Sequence, residues 1–354
     1  MKKLLLFSVI LATMPLIAQT EVNTFFPETS EGVTYCLPDT RIEITVSAAC
    51  ITYIPGEFHR YAEKFLRVDN AIEDAATNWV INGITVTTNG KPNPEKRYTI
   101  KLNNSTAGYV TLCESGIIKG INIKEGLREE QVNKTPQAKG GNRHIDATQY
   151  MTEEMIQATS TAKLAELTAR EIYTIRESKL DITRGLTDII PQDGLAMQLT
   201  LDELNKQEKA LTELFTGRTD TTYFSRTYTI EPSIGYDIEK AILFRFSRKL
   251  GFVEKDDLAG EPVYYNLKDM KTVYIPAPEE LEKKKTVKKE GVCYNIPGKA
   301  EFSVYTRSKK LYNAEMSIAQ FGVTEILSKD LFNKKANTRV LFDTATGGII
   351  NIEK

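Results

Sequence analysis

Ser160-Thr161-Ala162-Lys163 matches the S-x-x-K pattern of serine acyl-transfer enzymes. That spacing sets a lysine amine one helical turn after a serine hydroxyl, where it can assist the nucleophile. The chemistry is served by two companion motifs, S-D-N and K-T-G, and neither is present. Lys271-Thr272-Val273 and Lys285-Thr286-Val287 lack the glycine that lets a substrate lie against the strand. The surrounding periodicity also places Ser160 inside a helix rather than at its exposed start. A four-residue pattern recurs by chance, so Ser160 and Lys163 are read as structural.

Other chemistries find less support. Only two histidines occur, His59 and His144, and neither has a second histidine or cysteine at ligand spacing. Zinc chemistry is therefore not expected, and no G-x-S-x-G elbow serves a serine triad. Asp181, Asp188 and Asp193 cluster in one loop and Asp256-Asp257 precede a turn. Turn and cap roles account for them, and the loop lacks the ligand alternation of a calcium-binding EF-hand. Asp220-Thr221-Thr222 and Asp343-Thr344-Ala345 are short motifs of the kind that accept O-linked glycans. No catalytic residue, metal or cofactor is assigned.

The chain has 354 residues, with 46 Lys and Arg against 47 Asp and Glu. That balance offers no field for nucleic acid or an anionic membrane. The lysine run in 276–291 has no interleaved aromatics, which again speaks against nucleic acid. Lys2 and Lys3, the apolar run from Leu4 to Ile17, and Ala18 form the pattern of a secretory signal, cut near Ala18. Export to the periplasm or beyond is expected, with no transmembrane segment in the mature chain.

The element that organises the chain is 151–217. One helix should start near Thr152, with Met155, Ala158, Ala162, Ala165, Ala169, Ile172 and Tyr173 on one face, and fade near Lys179. A second should run from after Asp193-Gly194 to Gly217, with Leu201, Leu204, Leu211, Leu214 and Phe215 on its stripe and Glu208 as a polar interruption. Packed on each other they make a long antiparallel hairpin. Its tip, 181–194, carries Ile182, Leu186, Ile189 and Ile190, aliphatics in a place that is usually polar. These four are the candidate partner-contact residues.

The flanks read as β-rich and related. Residues 31–38, EGVTYCLP, match 290–297, EGVCYNIP; residues 110–123 match 340–352. Two related β lobes follow, near 31–125 and 290–354. The first contains a short helix opened by Pro55-Gly56-Glu57, then strands at 80–88 and 98–102 separated by the turn-forming NGKPNPEK. The fold class is α+β: signal 1–18, β lobe 19–125, polar linker 126–150, helical hairpin 151–217, strand segment 218–276, charged linker 277–289, β lobe 290–354. Strand alternation puts Cys36 and Cys113 on equivalent faces. They are the expected disulfide partners if any of the four cysteines pair, while Cys50 sits on an apolar face.

PGEFHRYAEKFL, STAKLAELTAREIYTIRES and LDELNKQEKALTELFTG resemble conserved blocks of domain of unknown function 4831, a family of exported Bacteroidales proteins. The resemblance runs over nearly the whole mature chain. It implies export and a shared architecture, and it carries no activity or functional residues. Together these features point to a non-enzymatic binding or assembly component of the cell envelope, with an envelope protein or glycan as partner. The alternative is an envelope-polymer hydrolase or transpeptidase using carboxylates or Ser160 and Lys163.

Overall fold

The computed structural model describes residues 32–100, 110–123, 145–186, 193–275, 291–332 and 338–353. The signal-like start, most of the polar stretch after 125 and the charged stretch 277–289 lie outside these residues. The fold is β-rich, with three sheets and a small set of helices.

β1 (Val33–Ile54) is the central strand. Its β-branched residues alternate: Ile42, Ile44 and Val46 are buried on one face, while Arg41, Glu43, Thr45 and Ser47 lie on the other. β1 pairs antiparallel with β2 (Ala76–Ile100) on one side and β5 (Arg218–Ile230) on the other, which gives the order β2-β1-β5. A five-stranded sheet has the order β10-β9-β8-β6-β7, built from β6 (Ile238–Ser247), β7 (Gly251–Val253), β8 (Glu261–Asp269), β9 (Gly291–Tyr305) and β10 (Lys310–Ser328). The larger core lies between these two sheets, where Ile42, Ile44 and Val46 meet Phe302, Val304, Ile318 and Phe321.

A third sheet, β12-β11-β4-β3, comprises β3 (Val110–Leu112), β4 (Ile118–Ile121), β11 (Arg339–Phe342) and β12 (Ile349–Glu353). β4 pairs directly with β11. The ends of the two stretches matched in the sequence thus share one sheet and are not held apart in separate bodies. Their core, with Tyr35, Leu37, Val292, Val340 and Phe342, also draws on both. The segment after Gly217 divides likewise: β5 joins β1, while β6 to β8 extend the sheet of β9.

β2 is one strand rather than two strands and a turn. Its prolines sit on an edge strand, where a missing N–H is tolerated. The register jumps from Pro38↔Pro92 to Cys36↔Arg97, so residues 93–96 loop out opposite Leu37. The same device recurs in β9 and β10. There the register jumps from Gly298↔Ile318 to Ile296↔Val323, and residues 319–322 loop out opposite Pro297. Pro297 has no amide to give the ladder. A Cβ at Gly322 would run into the Ile296 carbonyl.

The second loop reaches back to β1. β5 stops pairing at Ile42↔Ile230, so Thr40 lacks a strand on that side. Gln320 fills the gap: its Oε1 accepts from the Thr40 amide at 2.9 Å and its Nε2 donates to the Thr40 carbonyl at 2.8 Å. The Thr40 hydroxyl donates to the Ala345 carbonyl (3.1 Å) and accepts from the Ala319 amide (2.9 Å). Asn295 Nδ2 donates to the carbonyls of Pro38 and Thr346, and its Oδ1 accepts from the Thr324 hydroxyl. Thr40, Asn295 and Gln320 are all buried. Gln320→Leu would strand the Thr40 amide and carbonyl, at a cost of about 2–4 kcal/mol. Thermal denaturation checks this: a Tm equal to that of the parent chain would refute the bridging role.

Candidate functional site

The helical region begins with Phe58, whose amide donates to the Leu214 carbonyl at 2.7 Å. α1 (Ala62–Leu66) follows, then, after the first β strands, a 3-10 turn at Ala147–Tyr150 and α2 (Glu153–Ile156). Thr152 caps α2 by accepting from Met155, as its position in the sequence suggests. The expected single helix from 152 is interrupted, however. Chain direction changes across 157–160 and α3 (Thr161–Arg184) starts anew. Ser160 therefore stands at a helix start and not inside a helix. Its Oγ accepts from the Lys163 amide at 3.3 Å, while Lys163 Nζ donates to Glu166 at 3.1 Å. The hydroxyl is a cap, and the lysine amine is turned to a carboxylate.

α4 (Gly194–Thr216) is capped by Asp193, which accepts from Leu195 at 2.9 Å. It closes at Gly217, whose φ of +72° suits glycine. α3 closes at Gly185, with Leu186 donating to the Asp181 carbonyl and Gly185 to that of Ile182. That double bond pattern satisfies the last carbonyls of the helix. α3 thus runs beyond the expected end near Lys179, and Ile182 is a helical, half-buried residue rather than a loop residue. Leu186 is exposed. Ile189 and Ile190 lie outside the described residues.

The two ends of this helix pair differ sharply. At one end Ala165, Ala169, Ile172 and Ile175 pack with Ala210, Leu211 and Phe215 against Phe58 and α1. Phe58 and Phe215 meet edge to face at 5.3 Å. Among the described residues beyond Ile175 on α3 and before Ala210 on α4, none is buried. Ile182, Met197, Leu201 and Leu204 are half-buried there, and polar contacts join the helices. Glu208 accepts from Arg176 at 2.6 Å and from Lys179, and Lys179 also donates to Asn205 at 2.8 Å.

Leu180, Leu186, Leu195 and Leu199 project from this free end at 49–69% exposure. Of these, only Leu186 belongs to the tip set expected from the sequence. A signal existed for two more: Leu195 and Leu199 are four apart and fall opposite the stripe set by Leu204, Leu211 and Phe215.

The remaining sequence candidates serve as local supports. His59 Nδ1 lies 2.8 Å from the Gly56 carbonyl, and His144 is outside the described residues. Asp257 accepts from the Ala259 amide, and Asp343 accepts from the Ala345 amide and the Thr346 hydroxyl. Among the described residues no group of three or more metal-ligating side chains converges, and no helix is long and apolar enough to cross a membrane. All four cysteines are free, Cys36 and Cys113 included. The Cys36 amide donates to Gly116 and the Cys113 amide to Ile117, so residues 116–117 run between them. Two strand spacings amount to roughly 9–10 Å, beyond the roughly 7 Å that a disulfide spans between Cα atoms. Tyr35 donates to the Cys293 carbonyl at 3.0 Å and accepts from its amide at 2.8 Å. Burial drives that phenol well above the ordinary tyrosine range, so it stays neutral.

Burial raises the pKa of Glu208, but hydrogen bonds and charge from Lys179 and Arg176 outweigh it and leave the carboxyl below the ordinary glutamate range. A depressed folded-state pKa contributes stability above the unfolded value and loses it as pH falls toward the folded one. Glu208→Gln should therefore cost about 1 kcal/mol at neutral pH, less at high salt. The difference from the parent chain should shrink on acidification below the ordinary glutamate pKa. Denaturant melts across that range check this; a gap that grows on acidification would refute the assignment.

No curated protein and no solved structure matches the chain. The family described as Domain of unknown function (DUF4831) matches residues 31–350, nearly the whole chain, and the protein belongs to that family.

Proposed function

We propose that this chain is an exported, non-enzymatic assembly component of the cell envelope that binds a partner protein through the free end of an α3–α4 hairpin. The observation that carries the reading is the set of exposed leucines, Leu180, Leu186, Leu195 and Leu199, on a part of the helix pair where no described residue is fully buried. Aliphatic side chains left exposed at one end of a helix pair are surface that a partner would cover. Leucine offers a sugar hydroxyl no hydrogen bond, which favours a protein over a glycan. Polar bridges at Glu208 hold the helices together without spending the leucines on each other.

Export rests on Lys2, Lys3, the apolar run to Ile17 and Ala18. The platform for the arm is read as two β units of common origin, 31–125 and 290–354, with the hairpin inserted after the first. The EGV-Y-P match supports this, as do the four-residue loops opposite Leu37 and Pro297, which fall within one residue of each other in the matched β pairs.

Replacing the four leucines with serine should leave Tm within a few degrees of the parent, because little apolar area is lost from the folded state. The same variant should lose the envelope protein that the parent chain retains by cross-linking in intact cells. Unchanged cross-linking, or a chain found only in the cytoplasm with residues 1–18 still attached, would overturn the proposal.

A further inference from the structure

We infer that the open edge of β2 pairs, antiparallel, with the same edge of a second copy of this chain. The surface is separate from the helical arm, so this inference and the proposed function can fail independently.

β2 hydrogen-bonds to β1 on one side only among the described strands. An open edge presents alternate N–H and C=O groups, and the group that satisfies them in kind is another strand. Edge strands are ordinarily guarded by charge. β5 carries Arg218, Asp220 and Arg226; β10 carries Lys310, Glu315 and Glu325. Residues 75–90, AATNWVINGITVTTNG, carry no charged residue and no proline. At the chain's 26% charged content, a run of that length would hold about four such residues. A comparable uncharged run, 44–54, belongs to β1, which is covered on both edges for much of its length. In β2 the same composition faces outward.

The open length has defined limits. At its start the Trp79 amide donates to the Arg248 carbonyl at 2.7 Å, which closes that position. A register slip opposite Ser47 and Ala48 bends the strand near Asn82. From Ile84 to Gly90 the pairing with β1 is regular, and beyond it Lys91 brings a charge and Pro92 lacks an amide for a further strand. Thr85 and Thr87 lie on the exposed face, opposite Thr45 and Glu43 of β1.

Self-pairing opposes no like charges and has room at Gly83, while the Thr344 carbonyl of the same chain packs closely on Gly90. A two-fold axis through Thr87 sets Ile84 against Gly90 and Thr85 against Asn89, with no like charges opposed. The same axis sets Lys91 over Gly83 of the second copy, where nothing lies within 4 Å of a Cβ position. Two three-stranded sheets would then continue as one of six. The short paired length gives a weak, concentration-dependent dimer.

Sedimentation equilibrium of the purified chain over a wide concentration range is the test, with amide exchange of residues 84–90 measured in parallel. The parent chain should dimerise, and protection of those amides should rise with concentration. Thr85→Lys with Thr87→Lys opposes like charges across the axis and should weaken dimerisation by about tenfold or more. Its Tm should match the parent, since both side chains are exposed. Thr229→Lys, on the same face at β5, should leave the dimer unchanged. A parent chain that stays monomeric, a double lysine variant that dimerises like the parent, or equal weakening by Thr229→Lys would each overturn the inference.

Discussion

Two buried side-chain amides hold the β structure where β5 ends and the ladders of β1 and β9 are interrupted. Pro38 and Pro297 fall at matched points of β1 and β9, and a proline gives a sheet no donor. Where β5 ends, the backbone of β1 at Thr40 would be left bare in the interior. Gln320 supplies an acceptor and a donor in the positions a neighbouring strand would use, and Asn295 takes the carbonyls of Pro38 and Thr346. An unpaired buried backbone group costs as much as a lost hydrogen bond or more. The larger core around Phe302 and the smaller one around Phe342 meet at this junction, so each depends on its being satisfied.

The helical region follows a different division of labour. Alanines at 165 and 169 let α3 approach its neighbours closely at the end anchored on Phe58 and Phe215. Beyond Ile175 the helices are held by Arg176, Lys179 and Glu208 instead. α3, at 24 residues, extends roughly 36 Å. Its inner half serves the fold, and its outer half leaves Leu180 to solvent and Ile182 half-buried.

Local signals in the sequence were readable and local partners were not always so. Thr152 as a cap, Gly217 as a stop and the alternation of 42–46 all follow from short-range chemistry, and the structure has them. The interruption before Ser160 leaves no mark in the sequence, because the alanine stripe runs across it without a break in period. The prolines of NGKPNPEK read as a turn because sequence does not show that β2 is an edge, where proline is tolerated. Glu208 looked like a flaw in a helical stripe; its reason lies 29 and 32 residues away in Lys179 and Arg176. The pairing of β4 with β11 could not be read at all, because a match between two stretches says they are alike and not that they touch.

That pairing has a consequence for the order in which the molecule can form. Ile121 of β4 sits beside Val340 of β11, and Thr40 is closed by Gln320, 280 residues later. Loop-closure entropy must be met before contacts so distant in the chain return anything. The β units at the two ends cannot settle one after the other during synthesis. The amino-terminal strands stay without their inner partners until the final strands have emerged. Such a chain folds late and as a whole.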